Sequence, residues 1–139
     1  MSTINAYLTF NGNCHEAMKF YQDALGGELT LQSVGGMPVE ARCPAGEEQE
    51  IMHAQLIKGD LVLMGTDMQG PAGFIQGTTM ALALQCDTEE EINAYFANLS
   101  KGGQVVEPVR KQAWGALWGM VIDKYGVPWM LNHDLKGGA

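Results

Sequence analysis

The sequence has few basic residues, few cysteines and no long apolar run. It contains 8 Lys and Arg against 16 Asp and Glu in 139 residues, a net charge of −8. This balance argues against nucleic-acid and anionic-membrane partners, because both attract basic surfaces. No apolar run approaches the roughly 18 residues of a membrane span, and the first residues lack the basic stretch and apolar core of a secretion signal. We therefore expect a cytoplasmic protein that binds neither nucleic acid nor membrane.

The three cysteines, Cys14, Cys43 and Cys86, are odd in number and widely spaced. No Cys-x-x-Cys pair is present, which argues against a disulfide framework and against a structural zinc site. Cys86 ends an alternating apolar run and is expected to pack in the core. Cys14 begins a predicted helix, a place where the pKa of a thiol can fall, so both plain packing and reactivity remain open for it.

The first half of the chain has the pattern of one strand, one helix and three further strands. Apolar residues recur at helical spacing after Asn13, which we expect to be the N-cap, with Glu16 completing a capping box. Gly59-Asp60 separates two apolar runs and predicts a hairpin turn, and the Gly- and Pro-containing segment 35–49 predicts a loop. The predicted elements are a strand over 4–10, a helix over 14–25, and strands over 28–34, 51–58 and 61–66.

The second half repeats this pattern. The segment NCHEAMKFYQDAL from Asn13 aligns with DTEEEINAYFANL from Asp87, which predicts a second helix with Asp87 as its N-cap and Glu90 in the capping box. Strands are predicted over 79–86, 104–109, 113–123 and 127–132. Such a repeat predicts an α+β fold of two βαβββ modules, over 1–68 and 78–139, joined by a linker over 69–77.

Four phrases resemble one family. They are YLTFNGNC from Tyr7, MHAQL from Met52, LMGTD from Leu63, and the pair WG at Trp114 followed by WMLN from Trp129. Together with the repeat, they resemble the vicinal oxygen chelate superfamily of glyoxalase I, bleomycin-resistance proteins and extradiol dioxygenases, and within it the PhnB-like branch. The resemblance implies an eight-stranded cup, made of two four-stranded halves, in a homodimer.

The resemblance also implies a divalent metal in the cup, held by the first and last strand of each half. The matching positions here are Ala6, Met64, Ala81 and Met130, and none offers the hard oxygen or nitrogen donor that such a metal prefers. We therefore expect no metal cofactor unless a non-standard site exists, which argues against chemistry that needs a Lewis acid. A methyltransferase activity, a label that branch members have carried, is disfavoured because no Gly-x-Gly-x-Gly turn follows a strand.

Polar candidates come from the first hairpin. A two-residue turn at Gly59-Asp60 places Gln55 opposite Met64 and His53 opposite Thr66, so that these side chains share one face. His53 is the candidate catalytic residue, since an imidazole titrates near neutral pH. A structural histidine, an acid/base or ligand-orienting group, and a metal ligand all remain open for it.

Apolar candidates come from the last hairpin, where a three-residue loop pairs Met120 with Met130 and Trp118 with Asn132. The family resemblance implies that the Met130 side chain points into the cup. We expect the side chains of Leu8 and Phe10 to point into the cup as well. Aromatic and thioether walls with few polar groups are typical of ligand pockets, although the same side chains could simply fill the core. The candidate ligand-binding residues are Phe10, His53, Gln55, Met64, Trp114, Trp118, Met120 and Met130.

These features favour a PhnB-like protein that binds an apolar or aromatic small molecule in a metal-free cup. The first alternative is a superfamily enzyme, a lyase, isomerase or dioxygenase, with a displaced metal site or with His53 as acid/base. The second is a structural or regulatory dimer whose cup is filled. The identity of the ligand, the presence of catalysis and the physiological role do not follow from the residues.

Overall fold

The computed structural model describes residues 2–33, 51–69, 71 and 73–135. The chain divides into two units, Met1–Ile75 and Gln76–Ala139, which are described separately below as module one and module two. The predicted loop over 35–49, with Cys43, lies outside the described residues.

Module one contains one helix and a four-stranded sheet. The sheet order is β1-β4-β3-β2, with β1 parallel to β4 and the other neighbours antiparallel. The predicted hairpin register is confirmed, since Gln55 lies opposite Met64 and Ile57 opposite Val62. The elements are β1 (Ala6–Thr9), α1 (Cys14–Leu25), β2 (Glu28–Ser33), β3 (Ile51–Lys58) and β4 (Leu61–Thr66).

Module two repeats this topology with the sheet order β5-β8-β7-β6. Again the first strand is parallel to the last, and the last hairpin pairs Met120 with Met130 as predicted. The two βαβββ modules of an α+β fold are thereby confirmed. The elements are β5 (Leu82–Gln85), α2 (Glu89–Ser100), β6 (Gln104–Lys111), β7 (Ala116–Ile122) and β8 (Pro128–Asp134).

Each helix packs on one face of its own sheet. Helix α1 contacts β2, β3 and β4, and α2 contacts β6, β7 and β8. The apolar face of α1 buries Met18, Tyr21 and Leu25, and that of α2 buries Ile92 and Leu99. Among the described residues of each module, the opposite face of the sheet has no helix of that module on it. This helix-free face is therefore where side chains remain available to a ligand.

The first predicted helix cap is confirmed in its position but not in its hydrogen bonding. Asn13 occupies the N-cap position, but its side chain makes no capping hydrogen bond. Instead, Asp67 at the end of β4 accepts hydrogen bonds through Oδ1 from the backbone N–H of Gly12 at 3.0 Å and of Cys14 at 2.9 Å. The physical reason is that a carboxylate close in space competes with the local amide and is the stronger acceptor for these N–H groups.

The second predicted cap is displaced by one residue. Thr88, not Asp87, accepts the N–H of Glu91 at 3.0 Å, while the Glu91 carboxylate accepts the N–H of Asp87 at 2.9 Å. The acidic run Glu89, Glu90, Glu91 offers several equivalent capping-box partners, so the sequence pattern alone does not distinguish between neighbouring registers.

Both helices have 12 residues. In the part of the chain that the structure describes, no helix is long and apolar enough to cross a membrane.

Candidate functional site

The helix-free face of module two has rows of neighbouring side chains across three strands. Met130 on β8 lies between Ala83 on β5 and Met120 on β7. Asn132, two residues further along β8, lies between Gln85 and Trp118 in the same way. Because cross-strand neighbours project from the same side of a sheet, the aromatic, thioether and amide side chains lie together on this face.

Trp114 completes a pocket on this face. It lies in the turn between β6 and β7, not within a strand as predicted, because Gly115 at φ 87° closes a turn in which the Gly115 N–H donates to the Gln112 carbonyl. Its ring meets that of Trp118 edge to face, with centroids 6.4 Å apart, and the Trp114 residue is 60% exposed. The pocket, of about 320 Å³, has Ala83, Gln85, Trp114, Trp118, Met130 and Asn132 in its lining.

Three of the predicted ligand-binding residues, Trp114, Trp118 and Met130, therefore meet at one pocket. Met120 lies on the same face but is outside the lining. Gln85 and Asn132 also line the pocket, although neither was among the predicted ligand-binding residues. The signal for Asn132 was present in the hairpin register that pairs it with Trp118, whereas Gln85 depends on the parallel pairing of β5 with β8, for which the sequence has no local signal.

The helix-free face of module one has a hydrogen-bonded chain of three polar side chains. The Tyr7 hydroxyl lies 3.1 Å from His53 Nδ1, and His53 Nε2 lies 3.4 Å from Gln55 Oε1. A single neutral tautomer satisfies both contacts, with the phenol donating to Nδ1 and Nε2–H donating to the amide oxygen. Met64 lies beside both Tyr7 and Gln55, so the predicted residues His53, Gln55 and Met64 are brought together, with Tyr7 added to them.

The prediction that Leu8 and Phe10 point into the cup is wrong. The parallel register places Tyr7, not Ala6, beside Met64, and Leu8 beside Gly65 on the α1 side of the sheet. Phe10 is 4% exposed, and its ring lies 3.1 Å from where a Cβ on Gly65 would stand. Phe10 thus belongs to the core under α1. The reason is that the short strand AYLT has bulky side chains at both parities, so its alternation does not indicate which side is buried.

The first and last strands of the two modules do not offer the set of donor atoms that a divalent metal of the family type needs. In module one, the neighbours on the first and last strands are the phenol of Tyr7 and the thioether of Met64; in module two, they are the methyl group of Ala83 and the thioether of Met130. Thioethers are soft ligands and a methyl group has no donor atom. Among the described residues, no group of three or more His, Cys, Asp or Glu side chains is arranged to hold a metal ion.

Cys14 is buried, and its environment opposes the reactive alternative. Burial, followed by the nearby Asp67 carboxylate, raises the pKa of the Cys14 thiol well above its usual range. Both act in the same direction, because desolvation and a neighbouring negative charge each disfavour the thiolate. The structure therefore supports packing as the role of Cys14.

A recess of about 310 Å³ beside Cys14 is lined by Asn11, Gly12, Asp67, Met68 and Gln69. Both carboxylate oxygens of Asp67 already accept hydrogen bonds. Oδ1 accepts from the backbone N–H groups of Gly12 and Cys14, and Oδ2 accepts from the backbone N–H of Ile51 at 2.8 Å. Asp67 therefore orders the backbone here.

The comparisons with known proteins agree with this architecture. A family model described as the Glyoxalase/Bleomycin resistance protein/Dioxygenase superfamily matches residues 3–131. Protein YjdN of Escherichia coli K12 is 35% identical over 139 residues, covering 93% of each chain. Protein PA1353 of Pseudomonas aeruginosa is 36% identical, with a TM-score of 0.80 over 98% of this chain and 100% of that one. A PhnB protein of Bacillus cereus is 28% identical, with a TM-score of 0.70 over 95% and 99% of the two chains.

Proposed function

Since the chain belongs to the glyoxalase/bleomycin resistance protein/dioxygenase superfamily, we propose that it is a PhnB-like binding protein for an apolar or aromatic small molecule, and that binding needs no metal. The observation that supports this proposal is the pocket of module two, with two indole rings, one thioether and few polar groups in its lining. Pockets of this composition are typical of small-molecule sites, and about 320 Å³ is near the lower end of their range.

The geometry of the two tryptophans supports an aromatic ligand in particular. Trp114 and Trp118 form an edge-to-face pair and both line the pocket, and an aromatic ligand is suited to stacked or edge-to-face contact with either indole. Trp114 lies in a turn and is largely exposed, so its indole surface is accessible to a ligand. A bound ring would remove this apolar surface from water.

The metal-free part of the proposal depends on the donor atoms. The family's ligand positions, as the resemblance aligns them, have the methyl groups of Ala6 and Ala81 and the thioethers of Met64 and Met130, which are poor partners for a hard divalent cation. His53 Nε2 and Gln55 Oε1 are better donors, but they already face each other at 3.4 Å, so a cation at Nε2 would have to break that contact.

Calorimetric titration with a panel of one- and two-ring aromatic compounds tests the binding proposal. We expect saturable binding of at least one compound, and a loss of about tenfold or more in affinity in Trp118→Ala, because an aromatic wall of the pocket is removed. Phe20→Ala is the matched control, since it truncates an aromatic residue on α1, and it should bind within about twofold of the wild type. Equal affinity of wild type and Trp118→Ala for every ligand would refute the proposal.

A superfamily enzyme is the second candidate, and the Tyr7–His53–Gln55 chain favours it. Hydrogen bonds orient the His53 imidazole and join it to the Tyr7 phenol, a group that can exchange a proton with it and with a substrate. A survey of turnover with lyase, isomerase and dioxygenase substrates, followed by His53→Ala, tests this candidate. Turnover that disappears in His53→Ala while ligand affinity persists would favour the enzyme; unchanged turnover would exclude His53.

The Bacillus cereus relative is named as a candidate 3-demethylubiquinone-9 3-methyltransferase. We do not extend that activity to this chain, because no Gly-x-Gly-x-Gly turn for a methyl-donor nucleotide follows any of its strands.

A further inference from the structure

Two residues that line the module-two pocket, Gln85 and Asn132, form a hydrogen-bonded network with the carboxylate of Asp134, which is outside the lining itself. The Asn132 amide nitrogen donates to Asp134 Oδ1 at 3.0 Å and to Gln85 Oε1 at 3.0 Å. The Gln85 amide nitrogen donates to Asp134 Oδ2 at 3.4 Å. An ionised carboxylate only accepts hydrogen bonds, so Asp134 determines which way both amides turn.

This orientation leaves acceptors available. Both N–H groups of Asn132 are used within the network, whereas its Oδ1 has no partner among the residues that the structure describes. The Asp134 carboxylate is exposed and has further lone pairs beyond those that the amides use. A ligand on the Asn132 side of the pocket would therefore find oxygen acceptors and a negative charge.

The aromatic part of the pocket also favours a positively charged ligand. The face of an indole ring is the negative part of its quadrupole and attracts cations. Trp118 lies beside Asn132, so the ring and the amide acceptor are neighbours on the sheet, and Trp114 meets Trp118 from the turn.

The other charged side chains on this face do not reverse that preference. Arg110 on β6 lies opposite Trp118, but its guanidinium is 3.2 Å from the Glu107 carboxylate. The pair is compensated, which leaves the Asp134 charge among the residues of this face that the structure describes, and the sequence as a whole has a net charge of −8. The field at the pocket therefore favours a positive ligand.

We propose that the ligand of this pocket is a cation, an aromatic or alkyl amine or ammonium compound. Its charged group lies against Asn132 and Asp134, and its apolar part lies against Trp114 and Trp118. This inference rests on the proposed binding function and adds the charge of the ligand to it.

Three probes with one ring system separate charge from shape: 1-naphthylmethylamine, 1-naphthylmethanol and 1-naphthoate. Their dissociation constants are measured at neutral pH from the indole N–H resonances of the ¹⁵N-labelled protein. Trp129 is an internal reference, because its indole is 3% exposed and donates to Asp123 Oδ2 at 2.9 Å within the core. We expect Trp114 and Trp118 to shift while Trp129 does not, with the amine binding about three- to tenfold more tightly than the alcohol. The naphthoate should bind most weakly.

Asp134→Asn removes the charge but keeps an amide oxygen for the network, and Asp60→Asn in the β3–β4 turn is the matched control for the change in net charge. The preference for the amine over the alcohol should fall below about twofold in Asp134→Asn and stay at the wild-type value in Asp60→Asn. An undiminished preference in Asp134→Asn would overturn the assignment of the charge to this network. Equal binding of amine and alcohol to the wild type would overturn this inference alone, whereas no shift of Trp114 or Trp118 with any probe would overturn the proposed function as well.

Discussion

Two buried carboxylates lie at the ends of strands, Asp67 after β4 and Asp123 in the turn between β7 and β8. Asp67 accepts three backbone N–H groups, from Gly12, Cys14 and Ile51. Asp123 accepts the N–H groups of Tyr125 and Val127 and the indole N–H of Trp129. Buried charges are tolerated when their lone pairs are satisfied in this way, so we assign both residues to holding turns and chain ends in place.

Asp67→Ala should lower the free energy of unfolding by about 2–4 kcal/mol, because it leaves buried N–H groups without a partner and removes the cap of α1. Asn13→Ala should cost less than about 1 kcal/mol, since the Asn13 side chain makes no capping bond to the helix. Urea denaturation of the two variants measures the difference. A larger loss in Asn13→Ala than in Asp67→Ala would contradict the assignment of the cap.

The thiols of Cys14 and Cys86 should be unreactive in the native protein. Burial raises the pKa of Cys86 to about 12, with Glu91 and Asp87 adding to the effect, and raises that of Cys14 as well. In a Cys43→Ser chain at about pH 8, iodoacetamide should modify both thiols roughly 100-fold more slowly than free cysteine, and at the ordinary rate in concentrated guanidinium. Rapid native modification of Cys14 would restore the reactive alternative.

The same shift has a consequence for stability at high pH. Unfolded thiols ionise near pH 9.0, whereas native Cys86 remains protonated until about pH 12. The free energy of unfolding is therefore at its full value below about pH 9 and falls as the pH rises from about 9 to about 12. Only the unfolded state releases the Cys86 proton in this range, which favours unfolding.

At the scale of elements, local sequence patterns correctly predicted the bounds of α1 and the hairpin registers. They did not predict contacts between residues that are distant in sequence. Helix α1 matches its predicted range, and the β3–β4 and β7–β8 registers follow from turn length alone. The side of β1 that faces α1 depends on its parallel pairing with β4, more than fifty residues away, and the cap from Asp67 is equally distant from α1. For that reason Phe10 was placed on the wrong face and Tyr7 was missed.

Two strand glycines, Gly65 and Gly119, have little room for a side chain. A Cβ on Gly119 of β7 would stand 2.8 Å from Val109 Cγ2, 2.9 Å from Phe96 Cε2 and 3.0 Å from the Val109 backbone nitrogen. A Cβ on Gly65 of β4 would instead meet three side-chain atoms at 3.1–3.3 Å, one of them the flexible thioether of Met18.

Gly119→Ala should therefore destabilise the protein by about 2–3 kcal/mol, and Gly65→Ala by about 1 kcal/mol, because the backbone atom near Gly119 cannot move as a side chain can. Both glycines have ordinary φ angles, so the comparison measures packing and not backbone strain. Thermal or urea unfolding of the two variants gives the order. A Gly119→Ala protein as stable as the wild type would contradict the close packing of β6 and α2 around Gly119.

At the scale of the whole molecule, two modules of one topology have different side chains on their helix-free faces. Met64 and Met130 occupy corresponding positions beside the first strand of each module. Around Met64 the neighbours are Tyr7 and Gln55, and around Met130 they are Ala83 and Met120. The repeated sequence thus specifies the same framework twice, while the side chains on it specify hydrogen bonding in module one and aromatic contact in module two.

We also propose that the chain forms a homodimer, as the family resemblance implies. Sedimentation equilibrium should give about twice the mass of 15.0 kDa at micromolar concentration. A single species of monomer mass under these conditions would rule out the dimer.

The most direct test of the central claim measures ligand affinity with and without metal. The aromatic compound that binds best in the titrations is measured against protein stripped by a chelator and against protein re-equilibrated with Mn, Fe, Co, Ni and Zn, with the metal content determined by mass spectrometry. We predict equal affinities and no stoichiometric metal, because the pocket around Trp114, Trp118 and Met130 uses aromatic and thioether contacts. Binding that requires a metal, or one metal retained per chain, would contradict a metal-free binding site.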